Sequence, residues 1–290
     1  MNDWNVVQPK TTSELTHALM EAGVTVIAGG TDVLPGLRRV ADGRPVSLVD
    51  ISHVPDLRFI REHNGCLEIG ALTTHAEIAK SEPLLQYAPA LVKACETVGA
   101  PQTRGRGTLG GNLVNASPAA DTAPPLLCLE SRVKLVSADG ESELPLCEFF
   151  RGPGKTALLS GEFLHSIAFD LPSGRWGAGF LKLGRRNGMA IAVASAGVFM
   201  KLGVHGEIET IRVILGSVGP TPIRAKQVEI LLLGNKPSPE LFNRAAAGIE
   251  KDISPISDVR ATAEYRKISA RVLVVRALES AWKQAESRLA

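Results

Sequence analysis

The apolar and polar positions divide the chain into segments of distinct period. From Thr11 to Ala22, residues Leu15, Ala18, Leu19 and Ala22 recur at helical intervals, and Thr11 with Glu14 has capping-box spacing. Gly23 fits the C-terminal end of that helix. Val24–Ala28 is a short run rich in β-branched residues, which predicts a buried strand, and it ends in the sharp turn Gly29-Gly30-Thr31-Asp32. Val46–Ile51 and Leu67–Leu72 read as further strands. Thr74 with Glu77 caps another helix, and Pro89 opens one that runs to about Val98.

Between Gly99 and Pro125 both periods vanish, and this stretch holds five glycines and four prolines. A loop this long inside a compact chain is functional or disordered, and its small and apolar residues favour a functional one. Val133–Val136 and Glu143–Leu146 flank Asp139-Gly140, a hairpin turn, and Phe163–Leu171 closes that strand-rich region. Pro, Ser and Gly cluster in Pro172–Gly177, which marks a boundary. The expected division is 1–173, with subdomains of about 1–55 and 56–173, and then 174–290. Beyond the boundary, Phe180–Leu183, Ile191–Leu202 and Glu209–Leu215 read as three strands with tight turns such as Gly203–Gly206. Thr221–Leu233, Pro239–Ile249 and Ala261–Leu289 read as helices, the last with Ile268, Val272, Val275 and Leu278 on one face.

Length and composition narrow the function. A chain of 290 residues with 44% hydrophobic content suits two domains, or three small ones, and can bury a sizeable core. A net charge of +2 and only 4% aromatic residues argue against nucleic acid and against an anionic membrane surface. No apolar run approaches the ~20 residues of a membrane span, and Met1–Lys10 is mixed and polar, so a cytoplasmic location is expected. The four cysteines, Cys66, Cys95, Cys128 and Cys147, have no metal-ligand spacing and read as buried reduced thiols.

Two glycine segments carry candidate chemistry. In Val26-Ile27-Ala28-Gly29-Gly30-Thr31-Asp32-Val33-Leu34, paired glycines after a strand let backbone N–H groups converge on a diphosphate, and Thr31 adds a hydroxyl. Asp32 would repel a phosphate if turned inward and is expected to cap the following turn. On spacing alone, a plain strand-to-loop turn is the preferred reading of these residues. Gly105, Gly107 and Gly110 form a literal GxGxxG, but no strand precedes it and Gly111 to Pro118 does not read as a clean helix, so the dinucleotide fingerprint is rejected. What remains is a loop whose backbone can lie against a planar ligand, with Asn112, Asn115, Ser117 and Asp121 available to a sugar-like chain, or an ordinary polar loop. Gly152-Pro153-Gly154-Lys155-Thr156 lacks the first glycine of a P-loop, since Phe149 stands there. The six histidines are scattered, and no HExxH or GxSxG occurs. Nucleotide-cradling loops without acid–base apparatus suit a protein whose cofactor does the chemistry.

Taken together, Ala28-Gly29-Gly30-Thr31-Asp32, Thr108-Leu109-Gly110-Gly111-Asn112 and Ala116-Ser117-Pro118-Ala119-Ala120-Asp121 resemble the FAD subunits of the xanthine dehydrogenase and carbon monoxide dehydrogenase family. Gly152–Thr156, Lys182-Leu183-Gly184-Arg185-Arg186 and Val218–Arg224 are similar to that family as well, so the likeness covers nearly the whole chain in order. The resemblance implies an α+β fold: a two-subdomain FAD-binding unit of the vanillyl-alcohol-oxidase (PCMH) type, then a C-terminal α+β domain with a three-stranded antiparallel sheet and a helical bundle. It implies that Ile27, Ala28, Gly29, Gly30, Thr31, Asp32, Val33 and Leu34 wrap the FAD diphosphate. Thr108, Gly110, Gly111 and Asn112 would then lie near the ribityl chain and flavin. Asp121 would hydrogen-bond the cofactor, and Lys182 would sit close to the flavin.

The resemblance also implies an oxidoreductase role without a catalytic residue of its own. Electrons would arrive from [2Fe-2S] clusters on a small subunit, after substrate is hydroxylated at a molybdenum-pterin centre on a large molybdopterin-binding subunit. FAD in this chain would pass them to an external acceptor, in a dimer of heterotrimers. No four-iron cluster is expected here, because Cys128 and Cys147 alone do not supply its cysteine-bearing insertion. The competing expectation is a stand-alone FAD oxidase of the vanillyl-alcohol-oxidase type. Such an enzyme calls for a catalytic Tyr or His at the flavin, and the two tyrosines, Tyr87 and Tyr265, lie outside both glycine segments.

Overall fold

The structure, a computed structural model, describes residues 4–21, 23–39, 46–186 and 188–288. The first unit comprises β1 (Trp4–Val7), α1 (Thr12–Ala18), β2 (Thr25–Ile27), α2 (Val33–Arg39) and β3 (Val46–Asp50). Its three strands are parallel in the order β1-β3-β2. Thr11 caps α1 by accepting the Glu14 N–H, while the Glu14 carboxylate accepts the N–H of Lys10. The helix ends at Ala18, short of the expected span, whose last residue, Ala22, lies outside the described residues. The strand expected to be buried is instead half-exposed, and Val26 faces a cleft.

The second unit opens with a 3-10 turn (Pro55–Leu57). It continues through β4 (Ile60–His63), β5 (Cys66–Gly70), α3 (His75–Ile78), α4 (Glu82–Tyr87), α5 (Pro89–Thr97), α6 (Pro101–Arg104), α7 (Leu109–Val114) and α8 (Ala123–Cys128). Then come β6 (Arg132–Ser137), β7 (Gly140–Pro145), α9 (Leu146–Phe149), β8 (Phe150–Gly152), β9 (Lys155–Thr156) and β10 (Phe163–Asp170). The main sheet is antiparallel in the order β4-β5-β10-β6-β7. Thr74 and Glu77 form the full reciprocal capping box expected of them. The stretch 99–125 corrects the reading of it as a loop, since it contains α6, α7 and the start of α8. Helices of four to six residues are too short to show a period, and Gly110 and Gly111 sit inside one of them. Gly152–Thr156 is the tip of the small hairpin β8–β9.

The third unit holds β11 (Arg175–Gly184), β12 (Ala192–Leu202), β13 (Ile208–Gly216), β14 (Ile223–Arg224), α10 (Lys226–Leu232), α11 (Pro239–Ala246) and α12 (Ala263–Ser287). Its sheet has four strands in the order β11-β12-β13-β14, one more than expected, because Ile223 and Arg224 pair with Leu215 and Ile214 rather than joining a helix. One face of this sheet packs on α10, α11 and α12, and the other on α5 and α8 through Trp176, Phe180 and Phe199.

α12 also turns the opposite way from expectation. Ile268 and Val272 are exposed, and of the four expected residues only Leu278 is fully buried. The buried stripe is instead Ala270, Ala277, Ala281 and Ala285 with Leu273 and Val274. The cause lies on β11: a Cβ on Gly177 would fall 2.0 Å from the Ala281 carbonyl oxygen, and one on Gly179 2.4 Å from that of Ala277. Backbones that close admit only small residues between them, so the β-branched side chains face out. The cysteines need a similar correction: Cys95 and Cys128 are buried, but Cys66 is half-buried and Cys147 exposed.

Candidate cofactor-binding cleft

The three units meet around a cleft of about 910 Å³. All of the predicted site residues line it except Ile27 and Leu34. From the first unit, the turn after β2 supplies Ala28 to Val33. Gly30 is there in the left-handed region at φ +71°, where a side chain would be strained. Its carbonyl accepts the N–H of Leu34, which starts α2. The N–H groups of Gly29, Gly30, Thr31 and Asp32 donate to no acceptor among the described residues. Asp32 accepts the Thr31 hydroxyl rather than an N–H of the turn, so the expected Asx cap is not formed.

The second unit supplies the loop from Gly105 to Asn112, which is stitched to the chain after β5. Leu109 N–H donates to the Thr73 carbonyl at 2.9 Å, Gly110 N–H to Ala71 at 2.9 Å, and His75 N–H to Gly107 at 3.0 Å. Thr108 caps α7 by accepting the Gly111 N–H at 3.1 Å. The glycines here have a physical cause that differs from open access for a ligand. A Cβ on Gly29 would lie 1.9 Å from the Arg106 carbonyl oxygen, and one on Gly110 2.6 Å from Ala71 Cβ. Both are glycine because backbone passes against backbone, and that contact joins the two glycine segments into one surface. Asn112 accepts the Thr122 hydroxyl at 2.6 Å through its side-chain oxygen, and Ser117 accepts the Ala119 N–H.

The third unit closes the far wall. Strand alternation points Lys182 of β11 into the cleft and Leu181 into the C-terminal core. Lys182 Nζ donates to Asp121 Oδ2 at 2.5 Å and to the Thr97 carbonyl at 3.1 Å, with both partners of the ion pair 7% exposed. Burial pushes the Asp121 carboxyl up to about 6, although Lys182 pulls the other way. Asp121 Oδ1 is buried without a hydrogen-bond partner. Two further orphans stand on residues of the cleft wall: Ser217 Oγ and Arg266 Nε.

Sequence reasoning passed over Ser217, Asp258, Arg266 and His75. Arg266 is 3% exposed and donates to the carbonyls of Val193 and Ser217 and to Asp258 at 2.7 Å. Burial works to raise the Asp258 carboxyl, but donors from Arg260, Arg266 and Ala261 outweigh it and hold it well below the carboxylate range. One signal was present: Arg266 stands at helical spacing from Ala270, Leu273 and Ala277, a charge on an apolar stripe. Ser217 carried no signal of this kind; its place follows from a left-handed turn after β13. Among the described residues, no group of three or more His, Cys, Asp or Glu side chains is placed to hold a metal ion. None of the helices described there is long and apolar enough to cross a membrane.

Residues 2–172 match the family model of the FAD binding domain in molybdopterin dehydrogenase, and residues 179–281 that of the CO dehydrogenase flavoprotein C-terminal domain. The chain is 34% identical over 261 residues to the 6-hydroxypseudooxynicotine dehydrogenase complex subunit alpha of Paenarthrobacter nicotinovorans, covering 90% of this chain and 87% of that one. It is 30% identical to the nicotinate dehydrogenase FAD-subunit of Eubacterium barkeri, covering 93% of each. The solved carbon monoxide dehydrogenase of Hydrogenophaga pseudoflava, in a form lacking the Mo-pyranopterin moiety of its molybdenum cofactor, superposes with a TM-score of 0.92 at 30% identity, over 97% of this chain and 98% of that one. A two-part α+β architecture, a shared cleft and family models over both parts agree: the chain belongs to the FAD-binding medium subunits of the xanthine dehydrogenase and carbon monoxide dehydrogenase family of molybdenum hydroxylases.

Proposed function

We propose that this chain is the electron relay of a three-subunit molybdenum hydroxylase. It takes electrons from [2Fe-2S] clusters on a small subunit and hands them to an external acceptor, while a large molybdopterin-binding subunit carries the substrate pocket. The observation that supports this most directly is the cleft. Four consecutive amides of the Gly29–Asp32 turn have no protein acceptor among the described residues, and three orphaned polar atoms stand on residues of the opposite wall. Consecutive backbone amides left without a protein acceptor on the wall of a concave cleft fit a polar, anionic ligand. FAD would supply a two-electron store between one-electron clusters and the acceptor.

The residues of this chain do the holding. Ala28 to Val33 present amides to the diphosphate, with Ile27 and Leu34 packing behind the turn. Thr108, Gly110, Gly111, Asn112 and Ser117 form the floor along the ribityl chain. Asp121 and Lys182 place an acceptor and a donor near the ring. The functional units on this reading are 1–173, which binds the cofactor, and 174–290, which covers it. The working assembly is a dimer of heterotrimers in the cytoplasm.

The test is a visible absorption spectrum of the purified chain, with the released cofactor identified after denaturation, and capture of partners from the native host. One FAD per chain, no iron–sulfur absorbance, and a large and a small co-purifying subunit are expected. A colourless chain that cannot be reconstituted with FAD would overturn the reading, as would a flavoprotein that oxidises a substrate alone.

A further inference from the structure

His75 stands where the two glycine loops meet, and the roles given above leave it without a function. It is 2% exposed yet lines the cleft. Its backbone N–H donates to the Gly107 carbonyl at 3.0 Å. A Cβ on Gly107 would come within 3.2 Å of His75 Cδ2 and 3.6 Å of Nε2, and a Cβ on Gly29 within 3.1 Å of the Gly107 nitrogen. The Nε2 edge of the ring therefore abuts the seam between the Gly29–Asp32 turn and the Gly105–Asn112 loop.

The protonation pattern of the ring follows from its neighbours. Nδ1 lies 3.5 Å from the Cys95 sulfur. Cys95 is fully buried, and burial pushes its thiol far above its ordinary value, so the sulfur keeps its proton. A thiol that keeps its proton can donate to Nδ1, and in that pairing Nδ1 accepts. Burial, with the charge of Arg104 second, lowers the His75 pKa to about 4, so the ring is neutral near pH 7. A neutral ring that accepts at Nδ1 carries its hydrogen on Nε2. No acceptor for that hydrogen occurs among the described residues, and the ring lines the same cleft as the open amides of the Gly29–Asp32 turn.

We infer that His75 is a cofactor-positioning residue whose Nε2–H, held in that tautomer by the Cys95 thiol, donates to the diphosphate of the bound nucleotide at the seam of the two loops. The inference rests on the cleft being the FAD site. A neutral donor suits the place: it adds a directed hydrogen bond to the backbone amides without a net charge that would have to be desolvated in the empty protein.

The experiment titrates apoprotein with FAD by flavin fluorescence and with ADP by competition, for wild type, His75→Gln and His75→Leu, with circular dichroism to confirm folding. Glutamine keeps an N–H near the Nε2 position. It should bind FAD within about threefold of wild type, whereas leucine should lose about tenfold to a hundredfold, one hydrogen bond to a charged acceptor. ADP carries the diphosphate without the flavin and should lose the same factor. Equal FAD affinity in wild type and His75→Leu overturns the inference, and a loss for FAD but not ADP overturns the diphosphate assignment. Failure of the wild type to bind FAD sinks the functional reading instead, so the two failures are distinct. Should His75→Leu not fold, nitrogen-15 spectra of histidine-labelled wild type decide. Nε2 must be the protonated nitrogen and must shift when FAD saturates the protein, and an unprotonated or unmoved Nε2 overturns the inference.

Discussion

Lys182→Met tests the wall of the cleft most sharply. Methionine is close to lysine in length, so it fills the same volume while removing the ammonium. Two bonds are lost, at 2.5 Å to Asp121 and 3.1 Å to the Thr97 carbonyl. Asp121 then has no partner for either oxygen, because Oδ1 already lacks one. Breaking a buried ion pair on one side leaves an uncompensated charge and costs about 3–5 kcal/mol.

The size of the loss must depend on pH. Burial already raises the Asp121 carboxyl to about 6, and the two influences that lower it both come from Lys182. In the variant the folded pKa rises further above the unfolded value. Stability conferred by a group with a raised carboxyl pKa is complete below its unfolded pKa and is lost as pH climbs through the folded one. The deficit of Lys182→Met is therefore small near pH 5, where Asp121 is protonated in both proteins, and grows to about 2–3 kcal/mol by about pH 8, where the variant's carboxyl escapes the full cost of a stranded charge by staying protonated. Urea unfolding of the apoprotein at the two pH values measures it. Adding Asp121→Asn to Lys182→Met should restore stability at the higher pH, since the amide carries no charge to strand. A deficit equal at both pH values, or below about 1 kcal/mol at the higher one, would refute the account.

Three further outcomes are expected. Gly29→Ala places a Cβ 1.9 Å from the Arg106 carbonyl oxygen and must part the two glycine loops, so FAD affinity should fall at least about tenfold. Gly36→Ala, in α2 with open space around it, should be neutral or stabilising by about 0.5–1 kcal/mol, and wild-type flavin affinity in Gly29→Ala would count against the seam. His75 governs acid stability with the opposite sign to Asp121. Its folded pKa of about 4 lies below the ordinary 6.5, so the unfolded chain takes up the proton first. Stability is then present above about pH 6.5 and is lost as pH falls toward 4, by up to about 3 kcal/mol. Urea midpoints from pH 7 to pH 5 should fall less for His75→Gln than for wild type, and parallel curves would refute this.

The sequence by itself determined the elements whose cause is local. Caps at Thr11 and Thr74, the Asp139-Gly140 hairpin and the long strands after the boundary depend on neighbours within a few residues, and local chemistry decides them. The glycine segments, with Asp121 and Lys182 in order, were enough to name the family because a backbone that must pass close to another admits no substitute for glycine. Tertiary structure decided the rest. It turned α12 outward at Ile268 and Val272, since Gly177 and Gly179 on a distant strand demand alanines against them. It brought Asp121 to Lys182 across 61 positions, and Arg266 to Val193 and Ser217 across 73 and 49. It placed the His75 ring at the seam of two loops, both of them far from it in the chain. Periodicity records which face of an element is apolar, but which partner that face meets, and how closely, depends on residues far off in sequence; the cleft is made of those meetings.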